Sequence, residues 1–227
     1  IKAWEGIVLV YGRHEIIGAE GEIRGINFRG PGWNGTKIYG GIDIRDCIIS
    51  GEMRHRAYFS KEDMYGNILD KEIEIRNNIF LPYPGTLNTE NGSYRIENNL
   101  FCYPRWDIYF DATYRSIEFN RNIIYYYGMG VVGSRINVRN PELTEEDRWL
   151  GRERGEFKND YNIWYGEKTP VLKNTSTGEM ILLGEHSKQC DPGIIALDNG
   201  LFRYREDSIC INRDTGEIEI GPATGIG

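Results

Sequence analysis

The chain has 227 residues, enough to bury a substantial core as a single domain. Its net charge of −7 argues against nucleic acid or an anionic membrane as a partner, since neither is attracted to an acidic surface. No apolar run approaches the ~20 residues that a membrane-spanning helix requires.

One phrase recurs in chain order, a short β-prone run that ends in Asn or Cys (Ile in the first copy) and is followed by two apolar residues. Its copies are GEIRGINF (21–28), IDIRDCII (42–49), IEIRNNIF (73–80), YRIENNLF (94–101), IEFNRNII (117–124) and FKNDYNIW (157–164). The marked positions are Ile26, Cys47, Asn78, Asn99, Asn122 and Asn162, separated by 21, 31, 21, 23 and 40 residues. This period in alternating strands predicts an all-β solenoid, a parallel β-helix with about 21–23 residues per coil.

The geometry of such a coil explains the phrase. In IEIRNNIF, the two-residue period of a strand places Ile73 and Ile75 inward and leaves Glu74 and Arg76 outward. The marked Asn is expected at a bend, because Asn tolerates left-handed backbone and its amide can hydrogen-bond along a stack. Cys47, at an equivalent position, is expected to be a packed thiol rather than a reactive one.

Charged residues occupy the outward positions of the repeated strand. Four residues before the marked position the column contains Glu22, Asp43, Glu74, Arg95, Glu118 and Lys158; two residues before, it contains Arg24, Arg45, Arg76, Glu97, Asn120 and Asp160. Acids in one column face bases in the other, which offsets repulsion within each column. A solvated charge ladder is the simpler interpretation, and a substrate-binding surface is the alternative.

The period breaks at three places. The β-helix coils are expected over 1–166, with insertions at 51–70 and 134–157, and a capping tail packed on the helix over 167–227. In the second insertion, PELTEEDRWLG favours a short helix with Pro141 in its first turn. Loops on a rigid solenoid either carry a binding site or only cap an exposed flank, and the sequence leaves both open.

The tail segment GEHSKQCDPGIIALDNGLFRYREDSICIN (184–212) resembles the closing segment of secreted right-handed parallel β-helix proteins. The matching positions are Gly184, Ser187, Asp191, Pro192, Phe202, Arg203, Ser208 and Ile209, while the usual Pro after Ser208 is absent. The stretch DIYFDATYRSIEFNRNIIYY (107–126) is similar to a coil of the carbohydrate-active members, with Asp111, Ser116 and Asn122 on the pattern.

The resemblance implies a right-handed β-helix that acts on a poly- or oligosaccharide. Its relatives have more coils ahead of this region, so the chain resembles the C-terminal part of a longer protein. The family contains glycoside hydrolases, polysaccharide lyases, epimerases and non-catalytic glycan binders, and the fold alone does not choose among them.

A hydrolase needs two carboxylates roughly 5–10 Å apart. In the strand WDIYFDA, Asp107 and Asp111 point outward but lie about 13 Å apart, too far to act as a direct pair. Partners from an adjacent coil or insertion are Glu90, Glu62 and Asp63. The resemblance favours Asp111 over Asp107 as the active-site carboxylate; the alternative is an Asp that caps a turn or faces solvent.

Aromatic residues follow each marked position and are expected to gather on one side of the helix. The candidate substrate-binding residues are Trp33, Tyr83, Tyr103, Trp106 and Tyr126, with Tyr125, Tyr127 and Tyr165 nearby. Flat rings stack against sugars by burying apolar C–H surface, and tyrosine hydroxyls hydrogen-bond sugar hydroxyls. The alternative is that about half of them pack against turn loops.

A polysaccharide lyase would use a base and a cation beside a uronate carboxylate. The compact basic cluster Arg54-His55-Arg56, in the first insertion, supplies both, with His55 as the candidate base and the arginines as substrate-binding residues. The alternative is a solvated turn. A non-catalytic glycan-binding or structural module is the remaining interpretation.

No cofactor is expected, since HExxH, P-loop, GxSxG and pre-helical GxGxxG motifs are missing from the sequence. An acid-rich solenoid is compatible with Ca²⁺, but no loop has calcium-ligand spacing. Cys190 and Cys210 bracket a tail segment and could form a disulfide in an oxidising compartment. We expect a secreted or cell-surface protein whose partners are a saccharide and the missing N-terminal part or another subunit.

Overall fold

A computed structural model describes residues 8–29, 35–58, 71–81, 86–102, 108–125, 135–166, 170–196 and 202–223. Its elements are β1 (Val8–Tyr11), β2 (His14–Arg24), β3 (Ile26–Arg29), β4 (Thr36–Arg45), β5 (Ile48–Ser50), β6 (Glu52–Arg56), β7 (Glu72–Arg76), β8 (Ile79–Phe80), β9 (Thr86–Glu90), β10 (Ser93–Glu97), β11 (Leu100–Cys102), β12 (Ile108–Asp111), β13 (Ile117–Asn120), β14 (Ile123–Tyr125), β15 (Arg135–Arg139), α1 (Glu145–Trp149), β16 (Phe157–Asp160), β17 (Ile163–Tyr165), β18 (Val171–Asn174), β19 (Lys188–Gln189), β20 (Ile194–Ala196) and β21 (Phe202–Tyr204). The predicted all-β parallel β-helix is confirmed, because the strands stack in two long parallel sheets.

Each coil contributes to three faces. The larger sheet divides at β4, whose first half pairs with β6 and whose second half pairs with β7. The first face continues through β9, β12, β15 and β18, and the second face through β10, β13 and β16. The eight-stranded sheet, in the order β1-β3-β5-β8-β11-β14-β17-β19, is the third face. We call the bend between the first and second faces the first corner, and the bend between the second and third faces the second corner.

The coils stack in register, so the inward residues form columns. Tyr94 pairs with Ile73 on one neighbouring coil and with Ile117 on the other, and all three side chains are buried. Glu74 and Arg76 alternate with the buried residues of β7 and point outward, as the sequence predicted. Burial of these apolar columns supplies the main driving force for folding, at about 25 cal/mol per Å².

The second corner has the same backbone turn in every coil from β2 to β16. The residue just before each marked position has a left-handed conformation, with φ between 53° and 67°: Gly25, Asp46, Asn77, Asn98, Arg121 and Tyr161. The prediction that the marked residue itself is left-handed is therefore wrong by one position. The left-handed residue turns the chain, and the marked side chain then points into the coil.

The marked asparagines form a buried hydrogen-bonded ladder along the helix axis. The Nδ2 atom of Asn78 donates to Oδ1 of Asn99 at 3.0 Å, and Asn99 repeats this contact with Asn122 at 3.0 Å. Asn122 donates in turn to Asn162 at 3.2 Å. Each accepting oxygen also receives the backbone N–H of the preceding asparagine. The predicted stacking of amides is therefore confirmed.

The ladder has a different residue at each end. At one end, the backbone N–H of Cys47 donates to Oδ1 of Asn78 at 2.9 Å. The Cys47 thiol is fully buried, and burial raises its pKa to about 12, so it is a packing group as expected. At the other end, Ser187 Oγ accepts the backbone N–H of Asn162 at 3.1 Å.

In the coils from Cys47 to Asn162, the two apolar residues after the marked position point to opposite sides of the third face. Phe101, for example, packs in the interior of the coil, whereas Leu100 lies on the outside. The outward column consists of Ile48, Ile79, Leu100, Ile123 and Ile163. Phe202, Tyr204 and Cys210 of the tail pack against it. The phrase needs two apolar residues because one fills the coil and the other binds the tail.

The structure corrects three expected boundaries and one possible cysteine pairing. Residues 52–56 of the expected first insertion form strand β6 of the first face. Helix α1 begins at Glu145 with Thr144 as its N-cap, so Pro141 precedes the helix instead of lying in its first turn. The repeat does not stop near residue 167, because β18 and β19 add another rung in which Ser187 replaces the marked Asn. Cys190 and Cys210 are free thiols rather than a disulfide.

Candidate functional site

Two carboxylates occupy adjacent positions where the first face meets the first corner. Glu90 ends β9 and Asp111 ends β12, and the pairing of Thr89 with Phe110 places the two acids opposite each other. Neighbouring strands lie about 4.8 Å apart, so the acids are separated by one rung. We call Glu90 and Asp111 the carboxylate pair.

An arginine flanks the carboxylate pair on each side. Arg56 pairs with Glu90 in the strand register, and Arg139 pairs with Asp111. The outer column therefore runs cation, acid, acid, cation across four coils. This order is favourable because each carboxylate has an opposite charge on the side away from the other acid.

Glu90 is held by two side chains from the neighbouring coil. Arg56 places Nε 3.0 Å from Glu90 Oε2, and the Tyr58 hydroxyl donates to the same oxygen at 3.0 Å. The Arg56 guanidinium also lies over two rings, 5.6 Å from the centre of Tyr39 and 5.9 Å from that of Tyr58. The Glu90 side chain remains 25% exposed.

Asp111 caps the turn that follows β12. Its Oδ1 accepts the backbone N–H of Thr113 at 3.1 Å and the Thr113 hydroxyl at 2.5 Å. Its Oδ2 lies 3.6 Å from Nη1 of Arg139. The Asp111 side chain is only 8% exposed, whereas that of Arg139 is 55% exposed. Asp111 is thus fixed in orientation, while its arginine partner is open to solvent.

The tyrosines beside the carboxylate pair stay protonated at neutral pH. Burial and the charge of Glu90 raise the pKa of Tyr58 to about 12. Burial and the charge of Asp111 raise the pKa of Tyr109, although Arg139 opposes this. For Arg56, burial lowers the pKa, but Glu90, Tyr58 and Tyr39 together outweigh burial, and the net shift is upward. The site therefore presents hydroxyl and guanidinium donors around two acids.

The expected basic cluster Arg54-His55-Arg56 is neither on an inserted loop nor on one side of the chain. Because β6 is a strand, His55 points into the coil, opposite to its neighbours, and is fully buried. Its ring nitrogens contact the Ile42 carbonyl at 2.8 Å and the Tyr94 hydroxyl at 3.2 Å. Burial lowers the pKa of His55 to about 4. A surface base at His55 is therefore ruled out by its position.

Arg54 does lie on the outer surface of the first face, two residues from Arg56. Its Nε donates to Glu52 Oε1 at 2.7 Å, and Asn88 Nδ2 donates to the same oxygen at 2.8 Å. Arg54 and Arg56 are thus both paired with acids on the same face. The predicted substrate-binding role of these arginines stays a prediction.

Several predicted site residues lie outside the described residues: Asp107, Trp33, Tyr83, Tyr103, Trp106, Tyr126, Tyr127, Glu62 and Asp63. Two members of the expected aromatic set do lie among the described residues. Tyr125 and Tyr165 stack with their ring centres 5.0 Å apart, at the ends of neighbouring strands of the third face. The expected stacking of aromatics along one side is present for this pair.

Sequence reasoning missed Tyr39 and Arg139. The marked phrase covers strands of the second and third faces, so it predicts nothing about residues of the first face. First-face strands precede it by a variable distance, because the loops of the first corner run from 2 residues between β9 and β10 to 17 between β15 and β16. A search for alternating strands before each phrase would have found both residues.

Among the described residues, no group of three His, Cys, Asp or Glu side chains is arranged to hold a metal ion. In the same part of the chain, no helix has the length and apolarity of a membrane crossing. Comparisons with protein-family models, curated proteins and solved structures found no match to this chain.

Proposed function

We propose that the protein acts on a poly- or oligosaccharide as a glycoside hydrolase and that Glu90 and Asp111 are its paired carboxylates. The observation that carries the proposal is their placement on adjacent rungs, opposite each other in the strand register. A spacing of about 4.8 Å between strands matches the roughly 5–5.5 Å separation of carboxyls in retaining glycosidases.

The environments of the two acids suit different roles. Asp111 accepts two hydrogen bonds from Thr113, which fix the orientation of its carboxylate, as a nucleophile requires. Glu90 is more exposed, 25% against 8%, and is the better placed to reach a glycosidic oxygen or a water. Tyr109 and Arg139 border the pair on the outer surface and supply donors for sugar hydroxyls.

A non-catalytic glycan-binding module is the second candidate. It is favoured by the fact that both acids already contact an arginine, Glu90 with Arg56 and Asp111 with Arg139. Such a closed charge network can bind a saccharide without any proton transfer.

The test is incubation of the protein with a panel of neutral and uronic-acid polysaccharides. Two products are measured: new reducing ends, and unsaturated sugars that absorb in the ultraviolet. A hydrolase releases reducing ends without absorbance. Glu90→Gln and Asp111→Asn are each expected to lower turnover by about 10²-fold or more while melting remains cooperative. Glu74→Gln is the matched control, because Glu74 is a part-buried acid paired with Arg45 on the second face.

Unchanged turnover in Asp111→Asn would contradict the assignment of the carboxylate pair. Retained binding without any product release would favour the module. Absorbance together with reducing ends would indicate a lyase, whose base would then have to be a residue other than the buried His55.

A further inference from the structure

A surface groove runs along the second corner, away from the carboxylate pair. Its volume is about 540 Å³. One wall is the outward arginine column of the second face, Arg24, Arg45 and Arg76, and the other is the tail over 218–223. The arginines come from three consecutive coils, so neighbouring guanidinium groups are one strand spacing apart, about 4.8 Å.

The tail wall is fixed by hydrogen bonds to the corner residues. Asn98 Nδ2 donates to the carbonyls of Glu219 and Gly221 at 3.0 and 3.2 Å. The backbone N–H of Gly221 donates to the Arg121 carbonyl at 2.8 Å, and that of Ala223 donates to Asn77 Oδ1 at 2.6 Å. The groove is therefore preformed, and a ligand would not have to order it.

Three acids line the groove: Asp46, Glu97 and Glu219. Glu97 lies opposite Arg76 in the strand register and 4.0 Å from Nη1 of Arg121, and the other two have their acceptors in use. Asp46 binds Arg24 through Oδ2 at 2.5 Å and receives the Asn77 amide on Oδ1. Glu219 accepts from Asn212 at 2.7 Å, so its carboxylate is held by the tail. Asp46 and Glu219 are thus compensated, and four arginines (Arg24, Arg45, Arg76 and Arg121) line the groove against three acids, which leaves an excess of positive charge.

The donors of the groove are not all used. Arg45 binds Glu74 through Nη2 at 2.5 Å, but its buried Nε has no acceptor among the described residues. Arg76 is exposed, and within the described part of the chain no carboxylate lies within ion-pair distance of it. The accessible unused donors are thus those of the exposed Arg76 guanidinium, whose register neighbour Glu97 lies beyond ion-pair distance, and such a planar cation matches an oxyanion.

We infer that this groove binds the carboxylate of an acidic sugar residue, with Arg76 as the main contact and the part-exposed Arg45 guanidinium, one rung away, as the second cation. The planar guanidinium matches a carboxylate in two-point contact. The volume accommodates a sugar ring beside that carboxylate, and the polar side chains of Asn77 and Asn98 border the same space. The site does not include Glu90 or Asp111, so it stands whether or not the carboxylate pair is catalytic.

Titration of the whole chain with glucuronate, followed by ligand-observed NMR and calorimetry, tests the site. Glucose, which lacks the carboxylate, and acetate, which lacks the sugar, are run in parallel. We expect glucuronate to bind more tightly than either. Arg76→Gln is expected to weaken glucuronate binding by about 10-fold or more, the loss of one charge-assisted contact.

Arg95→Gln is the matched control, because Arg95 is an outward arginine of the same face that is paired with Glu72 at 2.7 Å and lies outside the groove. It should bind glucuronate as the wild type does, and Glu90→Gln should do the same while losing hydrolysis. Equal binding by Arg76→Gln and wild type would overturn the site. The site would also be overturned if Arg76→Gln and Arg95→Gln lost the same amount of glucuronate affinity. Equal affinities of the wild type for glucose and glucuronate would overturn it as well. Acetate binding as tightly as glucuronate would overturn the assignment to a sugar.

Discussion

The first and second corners of the coil are built on opposite principles. At the second corner, a left-handed residue and a buried amide repeat in one coil after another, and the connection has no insertion. At the first corner, the connecting loops differ in length from coil to coil, and the strands end in charged residues such as Glu90, Asp111 and Arg139. A repeated corner is typical of structural selection, whereas an irregular one with fixed charges is typical of a site.

The largest expected difference in stability between the two regions comes from substitution of Asn99, in the middle of the asparagine ladder. Asn99→Ala removes the acceptor of two Asn78 donors and the donor to the Ile75 carbonyl, all buried. We expect a loss of about 4 kcal/mol in the free energy of unfolding, since unsatisfied buried polar groups are costly. Urea denaturation measures it. Asn88→Ala, which loses one part-buried contact with Glu52, should cost about 1 kcal/mol. Equal losses of unfolding free energy in the two variants would contradict a special structural role for the second corner.

The buried His55, in the interior of the coil, should make the free energy of unfolding depend on pH. Burial lowers the pKa of His55 from 6.5 to about 4, so the unfolded chain binds the proton more readily than the folded one. Stability is full above pH 6.5 and falls as the pH decreases toward about 4, by about 3 kcal/mol in total. Unfolding measured across this range should show the loss in the wild type and much less in His55→Gln.

His186 provides the control for that experiment. It is exposed, and its hydrogen bond to Asp160 raises its pKa, so it acts in the opposite direction, losing its contribution as the pH rises through the shifted value. His186→Gln should therefore keep the acid-induced loss. If the loss persists in His55→Gln instead, another buried group controls it.

A smaller effect is expected where Asp111 caps its turn. Thr113→Val keeps the shape of the side chain and the backbone N–H contact but removes the hydroxyl that donates to Asp111. We expect about 1 kcal/mol of lost stability, and a lower turnover if the orientation of Asp111 is catalytic. Thermal melting and product release are measured on the same sample. A stability loss as large as that of Asn99→Ala would contradict the distinction between the corners.

The smallest effect on stability is expected at Arg139. Its side chain is 55% exposed and 3.6 Å from Asp111, so Arg139→Gln should change the free energy of unfolding by about 0.5 kcal/mol or less. The same change should weaken saccharide binding, because the first corner would lose its solvent-facing cation. Saccharide titration and urea denaturation together separate the two effects. A large destabilisation without any change in binding would make this corner structural as well.

The fold class could be predicted from the repeat, because a period of about 21–23 residues with alternating apolar positions favours stacked strands. The repeat also predicted the inward residues of the second face and the stacking of Asn78, Asn99 and Asn122, since these depend on local alternation and on one repeated side chain. The extra rung of β18 and β19 could not be predicted from the repeat, because Ser187 replaces the marked Asn and the pattern requires Asn, Cys or Ile at that position.

Only the tertiary structure decided the first corner. Glu90 and Asp111 are 21 positions apart in sequence, and their adjacency depends on the register of β9 and β12. The inward direction of His55 depends on β6 being a strand of the first face, which its position in an apparent insertion concealed. Strand register and the placement of loops depend on how whole coils pack against one another, so they cannot be predicted from a short stretch of sequence.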